Sequence, residues 1–173
     1  MIILANGRGQ LGEALKEKLN SFKTPSVIYI YHTWNVWEKD ALSQKKEYDK
    51  FCDFVNKNKK KGRIVFISTY STGDNNYVFY KQKAEAFLIL NSDNCLILRL
   101  PHLIGNKGIF NKLKTKTAEP YGSIEVMSLE DAAIKILEYS YYDGLCKSFT
   151  FKGEKINTTT LNEIIHAFNG EER

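Results

Sequence analysis

The sequence predicts an α/β fold in which a mainly parallel sheet is covered on both faces by helices. Short apolar runs alternate along the chain with segments whose apolar residues recur at helical spacing, which is the pattern of successive strand-helix units. The runs are rich in β-branched and aromatic residues, as expected for strands that are buried on both faces. With 173 residues, of which 43% are hydrophobic, the chain is long enough to build one core. We therefore expect a single domain over residues 1–173.

The N-terminal part of the chain carries the clearest elements. Leu11, Leu15 and Leu19 share one helical face, and Pro101 ends a strand because proline has no backbone N–H to donate. The predicted order is a strand at 2–5, a helix beginning near 11, a strand at 27–31, a helix from about 40 to 60, a strand at 64–67, a helix from 77 to about 90, and a strand at 95–100.

The pattern is weaker beyond Pro101. A polar connection follows, and apolar residues return in a short segment around 124–126. Helical spacing then predicts a helix from 129 to about 139, and aromatic residues predict a strand at 149–151. A final helix is expected from about 160. Helices and strands alternate here too, so this part extends the same α/β fold.

The charge and the cysteine content limit the kinds of partner and binding site that we expect. The net charge of +5 comes largely from clusters such as Lys57 to Lys61, which is typical of the solvated C-terminal end of a helix, so no nucleic-acid partner is expected. Cys52, Cys95 and Cys146 are odd in number and far apart in the sequence, which indicates neither a disulfide framework nor a metal site. The apolar N-terminus is too short for a signal peptide and no stretch is long enough to span a membrane. We expect a cytoplasmic protein with no membrane partner.

A glycine-rich turn follows the first strand and opens the first helix. Glycines allow a sharp turn and let backbone N–H groups approach a pyrophosphate, while the start of the helix supplies partial positive charge. The alternative is a tight strand-to-helix turn without a ligand. The candidate cofactor-binding residues are Gly7, Arg8, Gly9, Gln10, Leu11 and Gly12, in the spacing G-x-G-x-x-G.

The acid that often grips the adenosine ribose about 20 residues further on is missing, because residues 21–32 contain no carboxylate. Arg8 could meet a 2′-phosphate instead, so NADP is as plausible a cofactor as NAD. An exposed loop arginine without a partner is an equally good interpretation of Arg8.

A second group of candidates follows the strand at 64–67. Ser68 and Thr69 end that apolar run. Tyr77 and Lys81 are four positions apart on the next helix, so their side chains share one face. An ammonium group beside a phenol lowers the pKa of the phenol towards the range that proton transfer requires. Thr69 would then hold a substrate oxygen by a hydrogen bond. Taken alone, a tyrosine and a lysine at this spacing occur often by chance.

The order of these motifs resembles the extended short-chain dehydrogenase/reductases that act on nucleotide sugars, such as the NAD-dependent epimerase/dehydratases and dTDP-4-dehydrorhamnose reductase. This resemblance implies a Rossmann-like, doubly wound sheet, with Thr69, Tyr77 and Lys81 as the catalytic residues. The matching stretches are residues 6–12, 65–69, 77–85 and 98–105, with weaker similarity at 126–133 and 149–168.

The resemblance also implies where the chain is reduced. One strand-helix unit, the one that would hold adenosine, is missing between the glycine-rich helix and the strand of Thr69. Residues 1–105 would form the cofactor-binding core, and 106–173 a minimal substrate-side region. Further candidate cofactor-binding residues lie at strand ends and along a wall near the nicotinamide: His32, Thr33, Pro101, His102, Leu103 and Ile104.

Two aromatic residues and two surface helices leave alternatives open. Trp34 and Trp37 could refill part of the cofactor cleft by stacking, or could be ordinary core or dimer contacts. The helices around 48–55 and 77–90 resemble the pair through which many relatives form homodimers, so a homodimer is a further expectation.

The expected function is that of an NAD(P)-dependent oxidoreductase or epimerase acting on a nucleotide sugar or a related carbonyl or hydroxyl compound. The alternative is a non-catalytic or regulatory relative whose cofactor site has degenerated, and the missing adenosine unit favours it.

Overall fold

The structure, a computed structural model, describes residues 1–5, 9–105, 122–160 and 163. Its strands form two sheets, one of five strands and one of three. In chain order the elements are β1 (Ile2–Leu4), α1 (Gln10–Leu19), β2 (Ile28–Tyr31), α2 (Ala41–Asn58), β3 (Arg63–Thr69), α3 (Asn76–Asn91), β4 (Cys95–Leu100), β5 (His102–Ile104), β6 (Ser123–Ser128), α4 (Leu129–Ser140), β7 (Lys147–Thr150) and β8 (Glu154–Asn157).

The larger sheet is wholly parallel and has the order β1-β2-β3-β4-β7. The predicted α/β class is therefore confirmed. Between α1 and β3 the chain forms only β2 and α2, as expected for a fold reduced by one strand-helix unit. This short path leaves β1 as an outer strand of the sheet.

Helices cover both faces of the larger sheet because alternate strand residues point to opposite sides. On one face, Leu15 of α1 and Ile136 of α4 are fully buried with Val65 and Leu98. The opposite face buries α2 and α3 against the other residues of the strands, and the rings of Phe51 and Phe66 lie 4.3 Å apart there. The arrangement is the doubly wound, Rossmann-like one that the sequence predicts.

The second sheet corrects the prediction for the segment after Pro101. Residues 102–104 form β5 rather than a polar connection, and β5 pairs with β6 in parallel. β8, which the sequence did not predict, pairs with β6 antiparallel. Both strands are only three or four residues long and carry mixed residues, so neither produces a clear periodic pattern.

The C-terminal region joins the main sheet through β7. The strand predicted at 149–151 begins earlier, at Lys147, and ends at Thr150, where it pairs with Arg99 of β4. The helix predicted from about 160 lies almost wholly outside the described residues. Within the described ranges, no helix combines the length and the apolar character that a membrane crossing requires.

Candidate functional site

The residues predicted to bind a ligand gather at one edge of the larger sheet. Parallel strands point the same way, so their carboxyl ends meet at one edge, where open α/β sheets bind ligands. β1 ends at Leu4, β2 at Tyr31, β3 at Thr69 and β4 at Leu100, and the register pairs Thr69 with Leu100. The start of α1, the residues after β2, and Thr69 therefore lie at the same edge.

The start of α1 presents backbone donors that have no partner within the helix. Gly9 is the N-cap residue, in an extended conformation with φ −164° and ψ 152°, and no side chain of the described residues caps it. The first helical hydrogen bond runs from Glu13 N to Gly9 O at 3.1 Å, so the N–H groups before Glu13 precede that ladder. Gly7 and Arg8, the first residues of the predicted turn, lie outside the described residues.

The other described helices begin differently. Asp40 accepts a hydrogen bond from Ser43 N at the start of α2, Asn75 accepts one from Val78 N at the start of α3, and Ser128 accepts one from Asp131 N at the start of α4. A cap of this kind is worth about 1 kcal/mol. The uncapped start of α1 thus keeps donors that an anion can bind.

Close packing surrounds the glycine-rich turn. A Cβ on Gly12 would lie 2.7 Å from Cε1 of His32, so the imidazole rests directly on the first turn of α1. A Cβ on Gly105 would lie 2.7 Å from Oε1 of Gln10. A Cβ on Gly9, in contrast, would meet no atom of the described residues within 4 Å. The space at the turn is therefore open at Gly9 and closed at Gly12.

The two residues after β2 are both in protein contacts. Partial burial lowers the pKa of His32, and the charge of Lys16 lowers it further. Thr33 hydrogen-bonds the hydroxyl of Tyr31, whose pKa burial raises to about 12. His32 thus faces the start of α1 as a neutral imidazole near pH 7, while the hydroxyl of Thr33 has a partner in Tyr31.

Thr69 and Tyr77 form a hydrogen-bonded pair. Tyr77 lies in the first turn of α3, close to the end of β3, and its hydroxyl is hydrogen-bonded to Thr69. Burial raises the pKa of Tyr77 to about 12, and the hydrogen bond with Thr69 opposes only part of this rise. The phenol is consequently protonated at neutral pH.

Lys81 does not lower the pKa of Tyr77 in this structure, contrary to the prediction. Its ammonium donates to the carbonyl of Ile67 at 2.7 Å and lies 6.0 Å from the centre of the Tyr77 ring. The side chain is only 5% exposed. Burial lowers the pKa of Lys81 to about 7, although the negative charges of Glu85 and Glu47 oppose the shift. The predicted triad is assembled in space, but its cation is turned into the protein.

Trp34 is the side chain that covers Lys81. The centre of its ring lies 4.5 Å from Nζ of Lys81, and the ring of Phe66 lies 4.6 Å from the same atom. The indole N–H of Trp34 donates to Oε1 of Gln44 at 2.8 Å, and Gln44 is fully buried. Of the two interpretations of Trp34, the structure shows packing in the core between β3, α2 and α3. Trp37 is 52% exposed.

An ion pair that was not predicted from the sequence lies beside this cluster. Glu85 of α3 accepts hydrogen bonds from Nε of Arg99 at 3.0 and 3.1 Å, and from the terminal nitrogen of Arg99 at 2.5 Å. Glu85 follows Lys81 by four residues, so the helical spacing that joined Tyr77 to Lys81 also points to Glu85. Glu85 stabilises the protonated form of Lys81.

The predicted wall near the nicotinamide is the strand β5. Pro101 is buried, His102 is exposed, and Leu103 packs against the core of the larger sheet. Ile104 lies opposite Ser128 in the parallel pair of β5 and β6. These residues border the carboxyl end of β4, but part of their surface supports the core.

Comparisons with known proteins identify the fold. No protein-family model matches the sequence, and no curated protein matches it. The structure is similar to RMD from Pseudomonas aeruginosa complexed with NADPH, with a TM-score of 0.74, 13% identity, and coverage of 96% of this chain and 83% of that one.

Two further solved structures show the same likeness. For the UDP-N-acetylglucosamine 4-epimerase from Bacillus cereus the TM-score is 0.69 at 16% identity, with 97% of this chain and 84% of that one covered. For a dTDP-4-dehydrorhamnose reductase from Clostridium acetobutylicum the TM-score is 0.69 at 15% identity, with 98% and 81% covered. The resemblance stated from the motifs is confirmed at the level of the fold.

Proposed function

We propose that the chain binds a nicotinamide dinucleotide, NAD or NADP, at the carboxyl edge of its larger sheet and catalyses oxidation-reduction or epimerisation of a nucleotide sugar or a related carbonyl or hydroxyl compound. The observation that carries the proposal is the hydrogen-bonded pair Thr69 and Tyr77, with Lys81 on the same helix face, at the edge where the uncapped start of α1 lies. The comparisons add support, since one neighbour was solved with NADPH and two are named for reactions of nucleotide sugars.

The residues at the start of α1 fit a pyrophosphate. Backbone N–H groups of the first turn have no helical partner, Gly9 leaves open space beside them, and no side chain of the described part competes as a cap. A helix start of this kind favours negative charge through its dipole and its free donors. His32, packed on Gly12, would form one wall of that subsite.

A bound nicotinamide ring supplies the hydride chemistry. Thr69 orients the substrate oxygen, and Tyr77 exchanges a proton with it. Because the phenol has a pKa of about 12, its resting form is the protonated one. Tyr77 is therefore prepared to donate a proton to an oxygen that gains negative charge, which suits reduction of a carbonyl group.

The reverse reaction, oxidation of a hydroxyl group, needs Tyr77 as a phenolate. Lys81 would stabilise that phenolate. Its ammonium must leave the Ile67 carbonyl and approach Tyr77 to stabilise the phenolate. The lowered pKa of Lys81 also means that only part of the population carries the charge at pH 7. Oxidation would thus be slower than reduction until Lys81 moves.

A non-catalytic relative is the second candidate, and the position of Lys81 favours it. The amine is held by Ile67 O and covered by Trp34, and the adenosine unit is missing between α1 and β3. A protein of this kind would bind the dinucleotide weakly or not at all, and would not turn over substrate.

Cofactor titration separates these candidates. We expect NADH or NADPH to raise the melting temperature and to change the nicotinamide fluorescence, because a ligand that binds only the folded state stabilises it. No change with either cofactor at a concentration of about 1 mM would contradict the enzyme proposal.

If a cofactor binds, Tyr77→Phe tests the chemistry. The variant should lose turnover of nucleotide-sugar substrates while its cofactor affinity stays within about twofold, since only the proton-exchanging hydroxyl is removed. Tyr80→Phe, on the same helix, is the matched control and should keep its turnover. Binding without turnover in the wild type, over a panel of such substrates, would favour the non-catalytic candidate.

A further inference from the structure

Two of the three cysteines lie together at the edge of the larger sheet opposite the candidate site. Cys95 begins β4, and Cys146 immediately precedes β7, which pairs with β4 in parallel. They are 51 positions apart in the sequence, yet their sulfur atoms are 2.9 Å apart. Separation along the sequence, on which the prediction of three unrelated cysteines rested, therefore did not reflect their distance in space.

Hydrogen bonds hold the segments around Cys95 and Cys146 in position for this contact. The Cys95 thiol donates to the sulfur of Cys146, and the Cys146 thiol donates to the carbonyl of Ser92 at 2.9 Å. Arg63 bridges the two segments, since its Nε donates to Oδ1 of Asn94 at 2.7 Å and a terminal nitrogen donates to Gly144 O at 3.1 Å.

The backbone at Cys146 is also unusual. Its φ is +40°, and Cys146 is the one residue other than glycine with positive φ among the described residues. A residue other than glycine keeps a positive φ only when the surrounding contacts hold its backbone in that conformation. The contacts of its sulfur with Cys95 and Ser92 provide such surroundings.

We propose that Cys95 and Cys146 form a reversible disulfide that links β7, an outer strand of the five-stranded sheet, to β4. The proposal does not depend on the function proposed above, because the pair lies at the amino ends of the strands. A strand of six residues spans about 20 Å, which separates the pair from the carboxyl edge.

A low-molecular-weight disulfide such as glutathione disulfide is the oxidant. Cys146, which is partly exposed, attacks one sulfur of the oxidant as a thiolate and expels one glutathione thiolate. Cys95, which is buried, then attacks the sulfur of Cys146 and expels the second glutathione. Each protein thiol loses one proton, each departing glutathione gains one, and the oxidant is reduced to two thiols.

Burial governs the second step. It raises the pKa of the Cys95 thiol, and the neighbouring Cys146 adds to the rise. Few Cys95 side chains are thiolates at neutral pH, so closure of the disulfide should be slow there and faster in mildly alkaline solution.

The test is a thiol count on the whole chain after incubation with glutathione disulfide. The protein is denatured, alkylated and digested without reductant, and its peptides are identified by mass spectrometry. We expect one alkylated cysteine, Cys52, and a peptide that joins Cys95 to Cys146, lighter than the reduced pair by two hydrogens. Dithiothreitol should restore three alkylated cysteines.

Stability gives an independent readout. Because the link closes a long loop in the unfolded chain, the oxidised protein should melt at least about 4 °C above the reduced one. Cys146→Ser should abolish both the linked peptide and the temperature shift, whereas Cys52→Ser, the matched control, should keep both. Three alkylated cysteines after oxidation, a glutathione adduct on Cys146 that never closes, or a disulfide through Cys52 would each overturn the proposal.

Discussion

At the scale of single residues, Lys81 has the most unusual environment in the candidate site. Its ammonium is buried against the Trp34 and Phe66 rings and the carbonyl of Ile67. The pKa is about 7 in the folded protein and about 10.4 in an unfolded chain. Between these values the unfolded state binds more protons than the folded state, so the contribution of Lys81 to the free energy of unfolding rises with pH.

Lys81→Met tests this linkage. The free energy of unfolding of the wild type, relative to that of the variant, should rise by up to about 1.4 kcal/mol per pH unit between about pH 7 and pH 9. Urea unfolding of both proteins at several pH values measures the difference, and other titrating groups cancel because both proteins contain them. Lys83→Met, which removes an exposed lysine of the same helix, should give a curve parallel to the wild type. A parallel curve for Lys81→Met would show that Lys81 is not desolvated.

The sequence could predict which residues meet at this site, but not how one of them is oriented. The spacing of Tyr77 and Lys81 on a helix, and the position of Thr69 at a strand end, follow from local periodicity. The direction of the Lys81 ammonium depends on Trp34, which follows β2, and on Phe66 of β3. Such contacts between distant parts of the chain leave no local pattern in the sequence.

At the scale of elements, α1 is the described helix whose start lacks a side-chain cap. Gly9→Ser should supply one, because the backbone is extended and a Cβ at this position meets no atom within 4 Å in the part of the chain that the structure describes. The variant should gain about 0.5 kcal/mol in stability from the cap and from the lower entropy of its unfolded chain. The same hydroxyl would occupy the donors that a pyrophosphate needs, so the affinity for NADH or NADPH should fall.

The stability of the Gly9→Ser protein and its affinity for the cofactor should thus change in opposite directions. Urea unfolding measures the stability, and the cofactor titration measures the affinity. Asn75→Gly, which weakens the cap of α3, is the control and should lower the stability slightly without changing the affinity. A Gly9→Ser protein that is more stable and binds the cofactor as tightly as the wild type would remove the start of α1 from the binding site.

Elements with a long periodic pattern were predicted well, whereas short ones were not. β3, β4 and α2 lie close to the predicted positions of the two strands and the helix. β5 and β8 are stabilised by pairing with β6, so their formation depends on a partner distant in the sequence. The missing strand-helix unit could be inferred from chain length, because one unit alone fits between α1 and β3.

At the scale of the whole molecule, the outer surface of α2 and α3 carries large apolar side chains. Leu42 of α2 is 64% exposed, and Phe79 of α3 is 58% exposed. The ring of Phe79 contacts that of Tyr80, which packs with Tyr48 and Lys83. Exposed apolar surface of this kind marks interaction sites. We propose that two copies of the chain associate through this surface.

Sedimentation of the wild type and of Phe79→Glu tests the association. The wild type should sediment as a dimer at micromolar concentration. The variant should associate at least about tenfold more weakly, because it loses the apolar contact of Phe79 and would have to bury a charged side chain instead. Leu145→Glu changes an apolar residue that precedes β7 and is 70% exposed, and should leave the dimer intact. A wild type that sediments as a monomer, or a variant with unchanged association, would contradict this interface.

The shortened sheet leads to a prediction about which half of the dinucleotide supplies the affinity. β1 is an outer strand, and within residues 1–5, 9–105 and 122–160 nothing pairs with its free side. The adenosine half therefore has no strand-helix unit to bind beyond β1. The phosphates can still bind at the start of α1, and the nicotinamide half can still bind beside Thr69 and Tyr77. Reduced nicotinamide mononucleotide should bind within about threefold of NADH, a difference of about 0.6 kcal/mol, and adenosine, which carries no phosphate for the start of α1, should bind far more weakly. Isothermal titration calorimetry of the three ligands measures this order, and Gly9→Ser should weaken the mononucleotide and NADH alike because both place a phosphate at α1. If adenosine bound as tightly as NADH while the mononucleotide did not bind, the adenosine half would have a site of its own. The missing strand-helix unit would then not explain the binding.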